Sequence, residues 1–226
     1  STTFVAWNWK KSATAGFDIV SFTTSGDDEN FSHSLGVKPE LIIFKARASS
    51  GNWAVLGEFA ETTFNNKYMV LNLTDAQGSD GSYSNPTASQ FSTSNQIAVD
   101  STHIAYLFRS VQGYSKIGTY TGNGNADGTF VYTGFRPAWI ITKKSNSAGN
   151  WVIVDTKRDG YNGANDTLQA NVTDVESGGN RHDIVSNGFK ARSTSAYSNS
   201  SGDTFIYMAF AENPFVNSNG VPGNAR

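Results

Sequence analysis

Carboxylates are the first residues in this chain whose type and number could do chemistry. Hydrolysis of a glycosidic bond needs two of them facing each other across a sugar, about 5 to 9 Å apart. The candidates are Asp27, Asp28, Glu29, Asp155, Asp159, Asp166, Asp174 and Glu176. They stand mostly in turn-like contexts. Asp75 and Asp174 recur within one short motif, Asn-x-Thr-Asp, where a side chain capping a turn accounts for them. The three histidines, His33, His103 and His182, show no metal-binding spacing, and the chain has no Cys and no Gly-x-Ser-x-Gly elbow. The sequence therefore predicts no catalytic residue, no enzyme activity and no cofactor. Two oxygen-rich stretches, Gly26-Asp-Asp-Glu29 and Asn123-Gly-Asn-Ala-Asp-Gly128, align with each other, and oxygen ligands suit calcium. Asp27, Asp28, Glu29 and Asp127 are the calcium candidates, although neither stretch is an EF-hand loop and both read as hairpin turns.

A different chemistry is available to tyrosines set among small polar residues, which make adaptable contact surfaces. Tyr83 in Gly81-Ser-Tyr-Ser-Asn85, Tyr161 with Asn162 in Asp159-Gly-Tyr-Asn-Gly163, and Tyr197 in Ser195-Ala-Tyr-Ser-Asn199 are candidate ligand-binding residues. The plainer reading has each Tyr lying back on its own scaffold.

That scaffold is predicted to be all-β. Among 226 residues there are 22 Gly, 15 Phe, 9 Tyr and 5 Trp, with abundant Ser, Thr and Asn. Aromatics and Thr favour strands, and Gly, Asn and Ser favour turns. Alternation of period two, as in Lys67-Tyr-Met-Val-Leu-Asn-Leu73, recurs, and no long stretch keeps helical spacing. Net charge is −2 without any run of Lys or Arg, which argues against nucleic acid as a partner. No apolar run has the length of a membrane helix, so no membrane insertion is expected. No signal peptide is evident at Ser1, and the strand-like start reads as that of a piece excised from something longer.

The chain also repeats itself. Shifted by 98 residues, 36–56 matches 134–154 at nine of 21 positions: Gly36/Gly134, Pro39/Pro137, Ile42/Ile140, Ile43/Ile141, Lys45/Lys143, Ser49/Ser147, Gly51/Gly149, Asn52/Asn150 and Trp53/Trp151. Each repeated residue has a structural reading. The Gly permits a positive φ, the Pro starts a strand, the Ile pair enters the core, the Lys marks the exit to water, and the Trp anchors the next strand. Asn72-Leu-Thr-Asp75 and Asn171-Val-Thr-Asp174 correspond at one residue more of shift. A boundary strand occurs three times, as Phe4-Val-Ala-Trp-Asn-Trp-Lys10, His103–Arg109 and Phe205–Ala211. The expected architecture is two tandem β-sandwich or jelly-roll-like units, 1–112 and 113–226, of seven or eight strands each. One larger sandwich with internal pseudo-symmetry is the alternative.

Several of these segments together, VAWNWK, GYSKIGTYTGNGNADGTFVYTGFRPAWIITKK, GNWVIVD, SNGFKAR and YMAFAENPF, resemble a domain of unknown function in tailed-phage virion proteins, many from marine phages. The resemblance covers nearly the whole chain and is clearest over 113–215. It implies a virion appendage, a tail fibre, tail spike or capsid-attached fibre. The localisation it implies is the virion, assembled in host cytoplasm and exposed outside the cell. Other virion proteins would be partners, with a host surface glycan or receptor as a further one, and homo-oligomerisation, as a trimer by analogy. It supplies no catalytic residues. The function expected is a non-enzymatic structural and adhesive domain that contacts the host through loops. A capsid-decoration or fibre-shaft module binding only virion proteins is the alternative, and a polysaccharide-degrading enzyme is the third reading.

Overall fold

The computed structural model describes residues 4–26, 29–57, 67–79, 84–93, 97, 101–158 and 164–213. Their regular structure is β throughout, as expected. The first half contributes β1 (Phe17–Thr23), β2 (Asn30–Ser32), β3 (Leu41–Ala46), β4 (Ala54–Gly57), β5 (Lys67–Val70), β6 (Gly78–Ser79), β7 (Gln90–Ser92) and β8 (Thr102–Phe108). The second contributes β9 (Ser115–Thr121), β10 (Phe130–Tyr132), β11 (Pro137–Lys144), β12 (Val152–Asp155), β13 (Ala164–Gln169), β14 (Ser177–Val185), β15 (Gly188–Ala191) and β16 (Thr204–Ala211).

All pairings are antiparallel. One sheet runs β1-β8-β3-β4-β5-β6, and the other runs β10-β15-β14-β13-β12-β11-β16-β9. Read from β9, the second sheet has the order of the first, β9-β16-β11-β12-β13-β14, and then continues into β15 and β10. Their counterparts β7 and β2 form a separate two-stranded sheet. Registers correspond too: Ile42 lies opposite Leu56, and Ile140 opposite Val154.

Local chemistry explains the repeated residues. Gly36 and Gly134 adopt φ of 71° and 87°, a left-handed conformation that a side chain disfavours. Asn72 Oδ1 accepts the Trp53 N–H at 2.8 Å, and its amide donates to Asn52 Oδ1 at 2.9 Å. Asn171 does the same for Trp151 and Asn150, at 2.8 and 2.9 Å. The capping residue of the Asn-x-Thr-Asp motif is thus the Asn.

Successive residues of each strand face opposite sides. One face of each sheet packs its own outer cluster, around Phe44, Phe91 and Leu107 in the first half and Phe189, Phe205 and Ile140 in the second. The opposite faces meet in one shared cluster: Phe17, Leu41, Val55, Met69 and Phe108 pack with Trp139, Ile141, Trp151, Ile153, Ile206, Met208 and Phe210. Strand pairing thus separates the chain near residue 112, while the central cluster draws on both sides of it.

Two further expectations change. Residues 4–10 form no strand, because β8 fills the place beside β1 that this copy of the boundary strand would need. Lys143 does not exit to water: it is fully buried, and its ammonium donates to the carbonyls of Thr74 at 3.3 Å, Asp75 at 2.8 Å and Lys144 at 2.7 Å. The reason is its face, which the sheet packing turns toward the first half. Lys45, its counterpart, remains at the surface and donates to Gly51 O at 2.6 Å.

Candidate ligand-binding cleft

The two inner faces do not close along their whole length. Between them lies an open cavity of about 400 Å³, walled by Ile19, Ile43, Trp53 and Tyr106 from the first sheet and Trp139, Ile141, Ile153 and Met208 from the second. Trp7, Asn8 and Trp9 form a third wall. Four of the five tryptophans therefore line one mainly apolar cleft, with Asn8 and Tyr106 among its polar groups. Such a surface, apolar with a few convergent polar groups, is the common form of a ligand site.

The indoles are held by hydrogen bonds, cations and neighbouring rings. Trp7 Nε1 donates to Asp155 Oδ2 at 3.3 Å, and the Arg158 guanidinium lies 6.0 Å from its ring centroid. Burial alone would raise the Asp155 carboxyl. The Arg158 side chain and the N–H groups of Lys157 and Arg158 outweigh it and hold the acid below the usual carboxylate range. Trp9 stands edge-on to Trp139 at 5.3 Å and to Phe210 at 5.5 Å. Trp53 stacks on Tyr106, rings 18° apart and 6.3 Å between centroids, with Lys45 Nζ 5.8 Å from the indole. The cations over Trp7 and Trp53 favour the ring faces electrostatically.

The residues singled out from the sequence lie elsewhere. Tyr83, Tyr161, Asn162, Asp27, Asp28 and Asp159 fall outside the described residues. Tyr197 is exposed, with the Arg181 guanidinium 5.6 Å from its ring, and is not among the cleft's described walls. Asp127 pairs with Lys190 and Arg192, which place positive charge where a cation would sit. Glu29 spends its carboxylate on the N–H and hydroxyl of Ser25. Asp155 and Glu176 both pair with Arg158. Among the described residues no three His, Asp or Glu side chains gather to hold a metal.

Sequence reasoning places the tryptophans in the core and so passes over the cleft. One signal could have marked it: Trp7 and Trp9 stand two residues apart near the start of the chain, and both line the cleft.

A family model described as a domain of unknown function, DUF7483, matches residues 1–214. No curated protein and no solved structure matches the chain.

Proposed function

The chain belongs to the DUF7483 family of domains of unknown function, and on that premise we propose that it is a non-enzymatic structural and adhesive domain of a bacteriophage tail fibre or spike. Its ligand surface is the indole-lined cleft, and its partner is a glycan or protein on the host surface. The observation that carries this reading is the gathering of Trp7, Trp9, Trp53 and Trp139 around one open cavity, each braced by ion pairs or neighbouring rings. Large, rigid aromatic side chains give contact area at low entropic cost. The phage setting rests on the resemblance of the repeated segments to virion-protein domains.

A glycan array probed with the whole chain tests it, with Trp53→Ala and Tyr197→Ala proteins alongside. Specific binding lost in Trp53→Ala and kept in Tyr197→Ala is expected. Absence of any binding, there and on host cell envelopes, would remove the adhesive role. The second reading, a decoration or shaft module that binds only virion proteins, is favoured by the adjacent Phe4, Val5 and Val175. These side chains are exposed at 89%, 42% and 88% and line a second surface depression beside Arg158 and Glu176. Virion density with this surface buried against another virion protein would support it.

A further inference from the structure

The two halves face each other through pseudo-equivalent positions, so the sandwich has two equivalent seams. One is closed. There the stretch from Val70 to Gln77 of the first half lies on the second half. The Trp151 indole N–H donates to Val70 O at 2.9 Å, and the Gly149 N–H to Thr74 O at 2.8 Å. The Gln77 N–H donates to Ser145 O at 2.7 Å. Lys143 adds its bonds to Thr74 and Asp75, and Leu71 packs against the shared cluster.

Among the described residues the other seam is open, with Trp7, Asn8 and Trp9 along one side of it. By the repeat, its donors are Lys45, Gly51 and Trp53, and its acceptor is the Arg47 carbonyl. Lys45 turns back to Gly51 O. Among the described residues, no acceptor meets the Gly51 N–H or the Trp53 indole N–H. In the chain's own equivalent stretch, 169–176, Ala170 lines the cleft, but among the described residues no carbonyl of the stretch accepts from Lys45 or the Gly51 N–H. Glu176 is paired with Arg158, and the Val175 side chain is 88% exposed. Ala170, the counterpart of Leu71 by the repeat, lines the cleft, as Leu71 itself does, and its methyl group takes up less of that space than an isobutyl group would.

We propose that the open seam is a peptide-docking groove, in which a stretch of another polypeptide repeats the contacts that Val70–Gln77 makes on the closed seam. Its carbonyls accept from Lys45, Gly51 and Trp53, and one apolar side chain fills the space beside Ala170. The occupant's chemistry is read from the segment of this chain seated on the equivalent donors. The inference rests on the cleft being a binding surface and names its partner as a backbone with an apolar anchor.

The probe is a synthetic peptide of residues 70–77, VLNLTDAQ, titrated into the whole chain and followed by tryptophan fluorescence. Saturable binding with a blue shift is expected, because the half-buried Trp53 becomes covered. Ala170→Leu, which fills the groove from within, should weaken binding about tenfold or more, the scale set by burying one leucine side chain. Circular dichroism and melting of that variant confirm that it folds. Trp53→Ala should lose binding as well, and a peptide with its first Leu replaced by Asp should not bind. No saturable change up to millimolar peptide, or unaltered binding to Ala170→Leu, overturns the proposal. Peptide binding without glycan or envelope binding leaves the groove and removes the adhesive role. The opposite outcome removes only the groove.

Discussion

His182 lies fully buried in β14, its ring edge-on to Phe189 at 5.5 Å, and neither ring nitrogen has a hydrogen-bond partner among the described residues. Burial, with Arg181 beside it, pushes its pKa down to about 3. His103 is also fully buried and lowered by desolvation, with the Ser101 carbonyl opposing. Above about pH 6.5 such a histidine is neutral folded and unfolded, and it contributes no pH dependence. Below that, the unfolded chain takes up a proton that the folded chain refuses. Stability then falls with pH by up to about 1.4 kcal/mol per unit for each such group. The lowered carboxylates of Asp18, Asp155 and Asp203 act only below about pH 4, so the histidines own the window between. His182→Leu should flatten the loss of stability between pH 6.5 and 4.5, windows set by these pKa values. It should also raise stability at neutral pH, since two orphaned nitrogens leave the core. Urea denaturation across this range reads both effects. Slopes equal to the parent's would sink the assignment.

At the scale of elements, the two copies of one strand end do different work. Lys45 and Lys143 stand at equivalent places on β3 and β11, but only Lys143 is pressed against the other half. Burial, the largest influence, lowers its pKa to about 8, with Asp75 opposing and Lys144 adding to the fall, so it is charged at neutral pH. Lys143→Met should cost about 1.5–3 kcal/mol, the worth of hydrogen bonds to a charged donor. Lys45→Met should stay within about 0.5 kcal/mol, as surface changes do. Matched denaturation curves of the two variants decide, and equal effects would show that the seam is not held by Lys143. This contrast also marks what the sequence makes legible. Alternation, turn glycines and a duplicated motif are local signals, and they suffice for an all-β fold of antiparallel strands. The positive φ at Gly36 and Gly134 is likewise local. Which face of a sheet meets another sheet is set by packing between distant segments. The fate of Lys143 and the exposure of Trp53 therefore do not follow from their shared motif. The cleft escapes for the same reason, because its walls come from both halves and from residues 7–9.

For the whole molecule, the shared cluster decides what counts as a folding unit. Strand pairing alone divides the chain near residue 112, since each large sheet draws all its strands from one half. The core does not divide there: five of the twelve residues of the central cluster come from the first half and seven from the second. Burying one such side chain is worth about 1.5–3 kcal/mol, whereas a domain's net stability is about 5–15 kcal/mol. Separating the halves would expose the inner face of both sheets and break the closed seam, leaving each half with its outer cluster alone. The whole chain should therefore unfold in one cooperative transition, coincident by tryptophan fluorescence and far-ultraviolet circular dichroism. Fragments 1–112 and 113–226 expressed alone should lack a cooperative melt and bind a hydrophobic dye. Mixing them should restore the transition, because their complementary faces carry the missing burial. A sharp monomeric melt from either fragment alone would show that the outer clusters around Phe91 and Phe189 are sufficient cores, and that the central layer is an interface between two independently folded domains.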